Sequence, residues 1–167
     1  MRELWREPPD DHSFQKLEDW FDGLKRAEKT DFYSANLKKA RKGYEELAAL
    51  TQDIKLLHGD LHHENILSAG REPLLAIDPK GIVGDFGYET STFLINHARW
   101  LAGESDLKEK LENSIRLFST ELGIEPRVIS GWAFAQSVLS AWWTFEENCD
   151  NWKAELVWAG IWEELNF

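Results

Sequence analysis

Cysteine is nearly absent: Cys149 is the sole one in 167 residues. No intramolecular disulfide can form, which excludes a disulfide-stapled scaffold and fits a reducing, cytoplasmic setting. No stretch of about 18 apolar residues occurs, so no membrane-spanning helix is expected. The segment from Met1 to Pro9 has no apolar core of a signal peptide. There is no internal repeat, low-complexity tract or linker, and a single domain over 1–167 is expected. Basic residues are outnumbered, 19 against 30 acidic, for a formal charge of −11. That balance argues against nucleic acid and anionic membrane as partners, since both select Lys/Arg-rich faces. It suits a cationic one.

Aromatic residues, by contrast, are plentiful, with nine Trp and nine Phe. With 43% hydrophobic residues the chain can bury a core, and packing between helices is the expected use of most rings. Ser13 follows the breaker cluster Pro8–Asp11 and is expected to cap a helix reaching Arg26, with Phe14, Leu17, Trp20, Phe21 and Leu24 at helical spacing. A second helix is predicted over Ser34–Leu50, with Leu37, Ala40, Tyr44, Leu47 and Ala48 as its apolar face. Further helices are predicted from Thr90 to Leu101, Leu107 to Leu122, Pro126 to Glu147 and Trp152 to Leu165. Gly123 and Pro126 punctuate the middle of that series.

Between these helical stretches the character changes. The string His58-Gly59-Asp60-Leu61-His62-His63-Glu64-Asn65 is followed by two short predicted strands, Asn65–Ser68 and Leu74–Ile77, joined by a turn at Gly70 and Pro73. Asp78-Pro79-Lys80-Gly81 ends the second strand. An Asp, an Asn five positions later and a second Asp after a strand pair are the parts that phosphoryl transfer requires. One carboxylate takes the proton of the acceptor hydroxyl, and hard oxygen donors hold Mg²⁺ against the phosphates. Protein kinases write the same spacing as H-R-D-L-x-x-x-N. His58, Asp60, His62 and His63 could instead be read as a zinc cluster, but their spacing fits no zinc pattern and leaves Asn65 and Asp78 unused.

The string HGDLHxxN followed by an apolar strand ending in Ile77-Asp78 closely resembles the signature of the aminoglycoside phosphotransferase-like kinases. Ile77-Asp78-Pro79-Lys80-Gly81-Ile82-Val83-Gly84-Asp85, then Tyr88-Glu89, resembles the streptomycin 6-kinase and hydroxyurea phosphotransferase branch. So does Gly131 to Trp143. The resemblance runs from about Leu4 to Leu165. It implies an α+β, mainly helical fold similar to the C-terminal lobe of the protein-kinase-like fold, with a small β-hairpin carrying the catalytic loop.

The resemblance also implies roles. Asp60 is expected as catalytic base, Asn65 and Asp78 as metal ligands at the ATP·Mg²⁺ site, and His58 as a brace of the loop. His62 falls where protein kinases place a Lys and is expected to approach the transferred phosphate. Asp85 is expected to secure the next helix and shape the acceptor pocket, although Gly84-Asp85-Phe86-Gly87-Tyr88 departs from the family's usual Gly-Asp-Pro-Ala-Tyr. Glu146 and Glu147 are candidate contacts for a cationic acceptor such as an aminoglycoside. Lys80 is a candidate contact for a phosphate or an acidic partner, or a solvated turn lysine.

Such kinases place a nucleotide-covering loop and a phosphate-pairing Lys before this region. No Gly-rich loop precedes His58, and Gly23 and Gly43 are isolated in helical patterns. The nucleotide-binding lobe is therefore expected to be absent from this chain. A silent binding module, a missing partner lobe and self-association through apolar surface are the alternatives that follow.

Overall fold

The computed structural model describes residues 1–32, 35–68, 70, 73–165 and 167. Ser34, the expected start of the second helix, and turn residues 69, 71 and 72 of the expected hairpin lie outside them. The chain runs through β1 (Gln15–Lys16), α1 (Leu17–Ala27), α2 (Ala35–Leu50) and β2 (Ile54–Leu57). It continues through β3 (Ile66–Leu67), β4 (Leu75–Ala76) and β5 (Ile82–Asp85). It then ends in α3 (Phe86–Trp100), α4 (Leu107–Leu122), α5 (Pro126–Glu146) and α6 (Trp152–Glu163). This is the mainly helical α+β architecture expected from the sequence.

Two small sheets lie at one side. In the first, β5 is central, parallel to β1 and antiparallel to β2. Its residues Ile82, Val83 and Gly84 are buried, so it reads as a continuous apolar run rather than an alternation. The second sheet is the expected hairpin, β3 against β4, with Ile66 opposite Ala76 and Leu67 opposite Leu75. It is one residue shorter at each end than the sequence suggested. The loop of interest leaves β2 and enters β3, so the first sheet anchors its start and the hairpin its end.

Helix α5 is the centre of the packing. Trp132, Ala135, Val138, Leu139 and Trp142 face a core made with α1, α2 and the three-stranded sheet. Ile129 and Ala133 face a second core made with α3, α4 and α6, where Leu94, Leu111, Ile115 and Trp162 are buried. A helix apolar all round must lie between such layers. Rings dominate the first core. Phe21 stacks on Tyr44 at 4.3 Å, and both meet Trp132 edge-on. Such pairs contribute about 0.5–1.5 kcal/mol each beyond area burial. Among the described residues no helix is long and apolar enough to cross a membrane.

Three helix boundaries differ from expectation by two residues or more. Helix α1 starts at Leu17, not beside Ser13, because the Asp19 carboxylate accepts the Lys16 N–H at 3.0 Å and caps the first turn there. Helix α3 starts at Phe86, four residues before the expected Thr90, because Asp85 is its cap: its Oδ1 accepts the Gly87 N–H at 2.6 Å. Helix α6 ends at Glu163 rather than Leu165.

The contact between α1 and β5 permits no side chain at position 84. A Cβ on Gly84 would stand 2.6 Å from the Leu17 Cβ and 2.9 Å from its Cδ2. Gly84→Ala should therefore destabilise the protein by about 1–3 kcal/mol or more through overpacking, read as a lower urea midpoint. An unchanged midpoint would show that Leu17 moves aside freely.

Candidate active site

Leu57, the last residue of β2, delivers the chain to a loop whose backbone is held from below. His58 and Gly59 donate their N–H groups to the two oxygens of Glu89, at 2.8 and 3.0 Å. Glu89 lies in the first turn of α3 and is fully buried. Burial pushes its carboxyl above the ordinary carboxylate range, opposed by those backbone donors. Gly59 has φ +84°, and a Cβ there would come within 3.0 Å of Ile82 Cγ2, so both conformation and space require glycine.

His58 locks the loop from above. Its Nδ1 accepts the Asp60 N–H at 3.3 Å, and its Nε2 lies 2.8 Å from the Ile77 carbonyl oxygen. Those partners assign the tautomer: Nδ1 is bare, and Nε2 carries the proton that it donates to Ile77. The His58 carbonyl accepts from the N–H groups of Lys80 and Gly81 at 2.8 and 3.1 Å. The loop and the segment after β4 are thus bolted together at one histidine.

Asn65 closes the other end. Its Nδ2 donates to the Asp60 carbonyl at 2.9 Å, and its own carbonyl accepts the Ile77 N–H at 3.0 Å. With Nδ2 committed, Oδ1 is left as a free oxygen donor. Asp78 follows Ile77 in a left-handed conformation, φ 57°, which Asp tolerates. Its carboxylate is exposed and, among the described residues, has no hydrogen-bond or ion-pair partner. The hairpin therefore carries Asn65 and Asp78 to one end, two hard oxygen donors of the kind Mg²⁺ takes.

Asp60 points into a cleft of about 170 Å³. Helix α3 lines it with Tyr88, Thr92, Asn96 and Arg99, one stripe at helical spacing. Helix α5 adds Gln136, Ser140 and Trp143, and α1 adds Trp20. Trp20 and Trp143 meet edge to face at 5.5 Å. Beneath them Gln136 is saturated: Nε2 donates to Tyr88 Oη at 3.1 Å and Thr92 Oγ1 at 2.9 Å, and Oε1 accepts from Ser91 Oγ at 2.7 Å. Burial pushes the Tyr88 hydroxyl far above its ordinary range, so it stays a neutral donor and acceptor.

Lys80, unassigned between turn and phosphate contact in the sequence, forms an ion pair with Asp60, Nζ to Oδ2 at 2.6 Å. His62 Nε2 is farther, 4.0 Å from Oδ1. His63 turns away and stacks on Trp100 at 5.0 Å. Burial, then the neighbouring His97 and His62, lower its pKa. Among the described residues no three His, Cys, Asp or Glu side chains converge as a metal cluster would need.

The remaining candidates lie elsewhere. Asp85 caps α3, and its Oδ2 accepts the Thr51 hydroxyl at 2.6 Å. It pairs with Ile54 at the end of the sheet away from Leu57 and lines two other cavities, not the cleft at Asp60. Glu146 and Glu147 fall one turn beyond Trp143, outside the cleft lining, and Glu146 lies 3.4 Å from Arg26. The role of Glu89 was not read from the sequence. Its signal was a lone acid inside the otherwise uncharged run Phe86–Asn96.

Residues 1–148 match the aminoglycoside/hydroxyurea antibiotic resistance kinase family. Over 138 residues the chain is 33% identical to streptomycin 3''-kinase of Klebsiella pneumoniae, covering 81% of this chain and 50% of that protein. It is 36% identical to hydroxyurea phosphotransferase of Kitasatospora aureofaciens over 61% of this chain and 27% of that one. Among solved structures it superposes on choline kinase LicA from Streptococcus pneumoniae with a TM-score of 0.57 and 19% identity, over 86% of this chain and 54% of that one. A LicA complex with AMP gives a TM-score of 0.59 over 94% of this chain and 55% of that one. The chain belongs to the aminoglycoside/hydroxyurea antibiotic resistance kinase family. It spans half or less of the length of these curated relatives.

Glu89 generates a stability prediction. Glu89→Ala would leave two buried N–H groups unpaired, at about 1–3 kcal/mol each, whereas Glu89→Gln keeps one acceptor and should cost less. The sign with pH follows from the raised carboxyl. The folded state holds its proton more tightly than the unfolded chain, so this contribution is full at low pH and is lost as pH rises through the folded pKa. The stability of wild type relative to Glu89→Gln should therefore fall as pH rises out of the ordinary carboxylate range. Urea titrations of both proteins across pH check it; a difference that is flat or rises with pH contradicts it.

Proposed function

We propose that this chain carries the phosphoryl-transfer site of a small-molecule kinase, with the acceptor hydroxyl bound in the cleft at Asp60. The observation that carries the reading is the Asp60–Asn65–Asp78 set: a carboxylate at the cleft, backed by an amide whose Oδ1 has no partner among the described residues, and an exposed carboxylate with none among them either. ATP would supply the phosphoryl group, and Asn65 Oδ1 and the Asp78 carboxylate would hold a Mg²⁺ ion, which would neutralise the phosphate charge.

Asp60 orients the acceptor O–H and takes its proton as the oxygen bonds to phosphorus. The bond to the departing diphosphate breaks, and no other oxidant or reductant enters. Lys80 holds Oδ2 of Asp60, which leaves Oδ1 to receive the proton. Glu89, through the His58 and Gly59 amides, and His58, through Asp60 N–H and Ile77 carbonyl, keep that geometry fixed before substrate arrives. Such positioning supplies most of the rate in phosphoryl transfer. Streptomycin and hydroxyurea, the acceptors named for the relatives, are the first molecules to assay.

In the intact gene product Asp60→Asn should lower kcat by about 10²–10⁴-fold, the usual worth of a general base, with an unchanged circular dichroism spectrum. Asp78→Asn should raise the Mg²⁺ concentration needed for half-maximal rate. Coupled ADP-release assays read both. Turnover of the Asp60 variant within a few-fold of wild type overturns the assignment of the base.

A further inference from the structure

The cleft at Asp60 combines small volume, neutral hydrogen-bonding groups and a lack of spare negative charge. Its volume of about 170 Å³ lies below the roughly 300–1,000 Å³ of pockets for drug-sized ligands. Its charged lining residues are two cations, Lys80 and Arg99, against one carboxylate, Asp60. The Asp60 carboxylate already faces Lys80, and Arg99 pairs with Glu155, which stands outside the lining. Among the described residues, no carboxylate in the lining is without a cationic partner.

What remains open is uncharged. Asn96 donates Nδ2 to the Thr92 carbonyl at 2.9 Å, which frees its Oδ1 as an acceptor. The Ser140 hydroxyl has no partner among the described residues. Trp20 and Trp143 supply an apolar wall on which the C–H face of a small ring can rest. The saturated Gln136–Tyr88–Thr92 network beneath keeps the floor rigid.

We propose that the acceptor bound in this cleft is a small uncharged hydroxylated molecule, at most about the size of one sugar ring, and that Lys80 and Arg99 disfavour polycationic aminoglycosides. This specificity rests on the phosphotransferase reading for its purpose but not for its test. The acidic surface of the chain as a whole attracts cations at long range, yet the groups at the reacting centre do not match them. Glu146 and Glu147, a turn beyond Trp143, lie outside the cleft lining.

Binding is measured without nucleotide, by calorimetry and by the indole N–H signals of Trp20 and Trp143, assigned through Trp→Phe variants. The probes are glucose, myo-inositol and hydroxyurea against streptomycin. At least one uncharged probe should shift both indole signals and bind tenfold or more tighter than streptomycin. Ser140→Ala should weaken that binding several-fold. Arg99→Gln should improve streptomycin binding several-fold, and the double variant Arg99→Gln/Glu155→Gln, which leaves no charge unpaired, should do the same. Streptomycin binding tightest at these two indoles, or no uncharged probe shifting them, overturns the proposal. Because no ATP is present, a ligand that binds here but is never phosphorylated counts against the phosphotransferase reading alone. Phosphorylation of streptomycin by the wild type, with tight binding at the cleft, counts against this specificity alone.

Discussion

The site depends on one buried carboxylate accepting two backbone amides. Glu89 is fully buried and meets the N–H groups of His58 and Gly59 at 2.8 and 3.0 Å. Taking a carboxylate out of water is expensive unless donors replace that water. Here the donors belong to the loop that must be held still. The same interaction therefore satisfies the acid and fixes the loop to α3, a helix packed on α5 in both cores. Every other contact at the site is built on that placement. With Gly59 fixed at positive φ, Asp60 turns to the cleft and its N–H reaches His58 Nδ1. Nε2 can then brace the strand end that precedes Asp78.

The arrangement divides the molecule into a stiff frame and a permissive mouth. Beneath the cleft, Gln136, Tyr88 and Thr92 satisfy one another. A buried polar network of this sort costs less only when fully paired, and paired it specifies one geometry. At the mouth, Lys80 and Asp78 are exposed, and Asp78 has no partner among the described residues. The Asp78 oxygens are thereby open to solvent, and the Lys80 ammonium meets the Asp60 carboxylate. Rigid backbone with free side-chain oxygens is the combination that preorganised catalysis requires.

The motif His58 to Asp78 was legible because its chemistry is encoded in short spacing, and the loop–hairpin thread keeps that spacing in space. The helices from Leu107 onward were legible because their apolar periodicity and the stops at Gly123 and Pro126 are local. The three-stranded sheet was not. Its central strand Ile82–Asp85 is four residues long and buried along its first three, so it shows no alternation, and its neighbours β1 and β2 come from distant segments. Phe86-Gly87 looked like loop, yet the Asp85 carboxylate caps it into helix. Glu89 escaped for the same reason: it acts on residues 30 or more positions away. Pairings of that range are set by the fold and leave no local pattern.

Asp60 and Asp85 show how far residue type alone can mislead. Both are acids following glycine within one motif; Asp60 was read as the base, and Asp85 as securing the next helix, which it does, and shaping the acceptor pocket, whose lining it does not join. In space they sit at opposite ends of the β2–β5 pair, since Asp85 opposes Ile54 while the loop leaves from Leu57, opposite Ile82. At about 3.4 Å per residue, three steps of antiparallel strand put about 10 Å between Asp85 and the strand end from which the loop of Asp60 leaves. Asp85 spends both oxygens on structure, one on the Gly87 amide and one on the Thr51 hydroxyl. Asp60 spends one oxygen on an exposed lysine and keeps the other for the cleft. An acid whose lone pairs are consumed by the fold is a fastener, and an acid held by its backbone with an oxygen to spare has the form that the proposed base requires. The distinction lies in the partners, which is why the site had to be read from the structure.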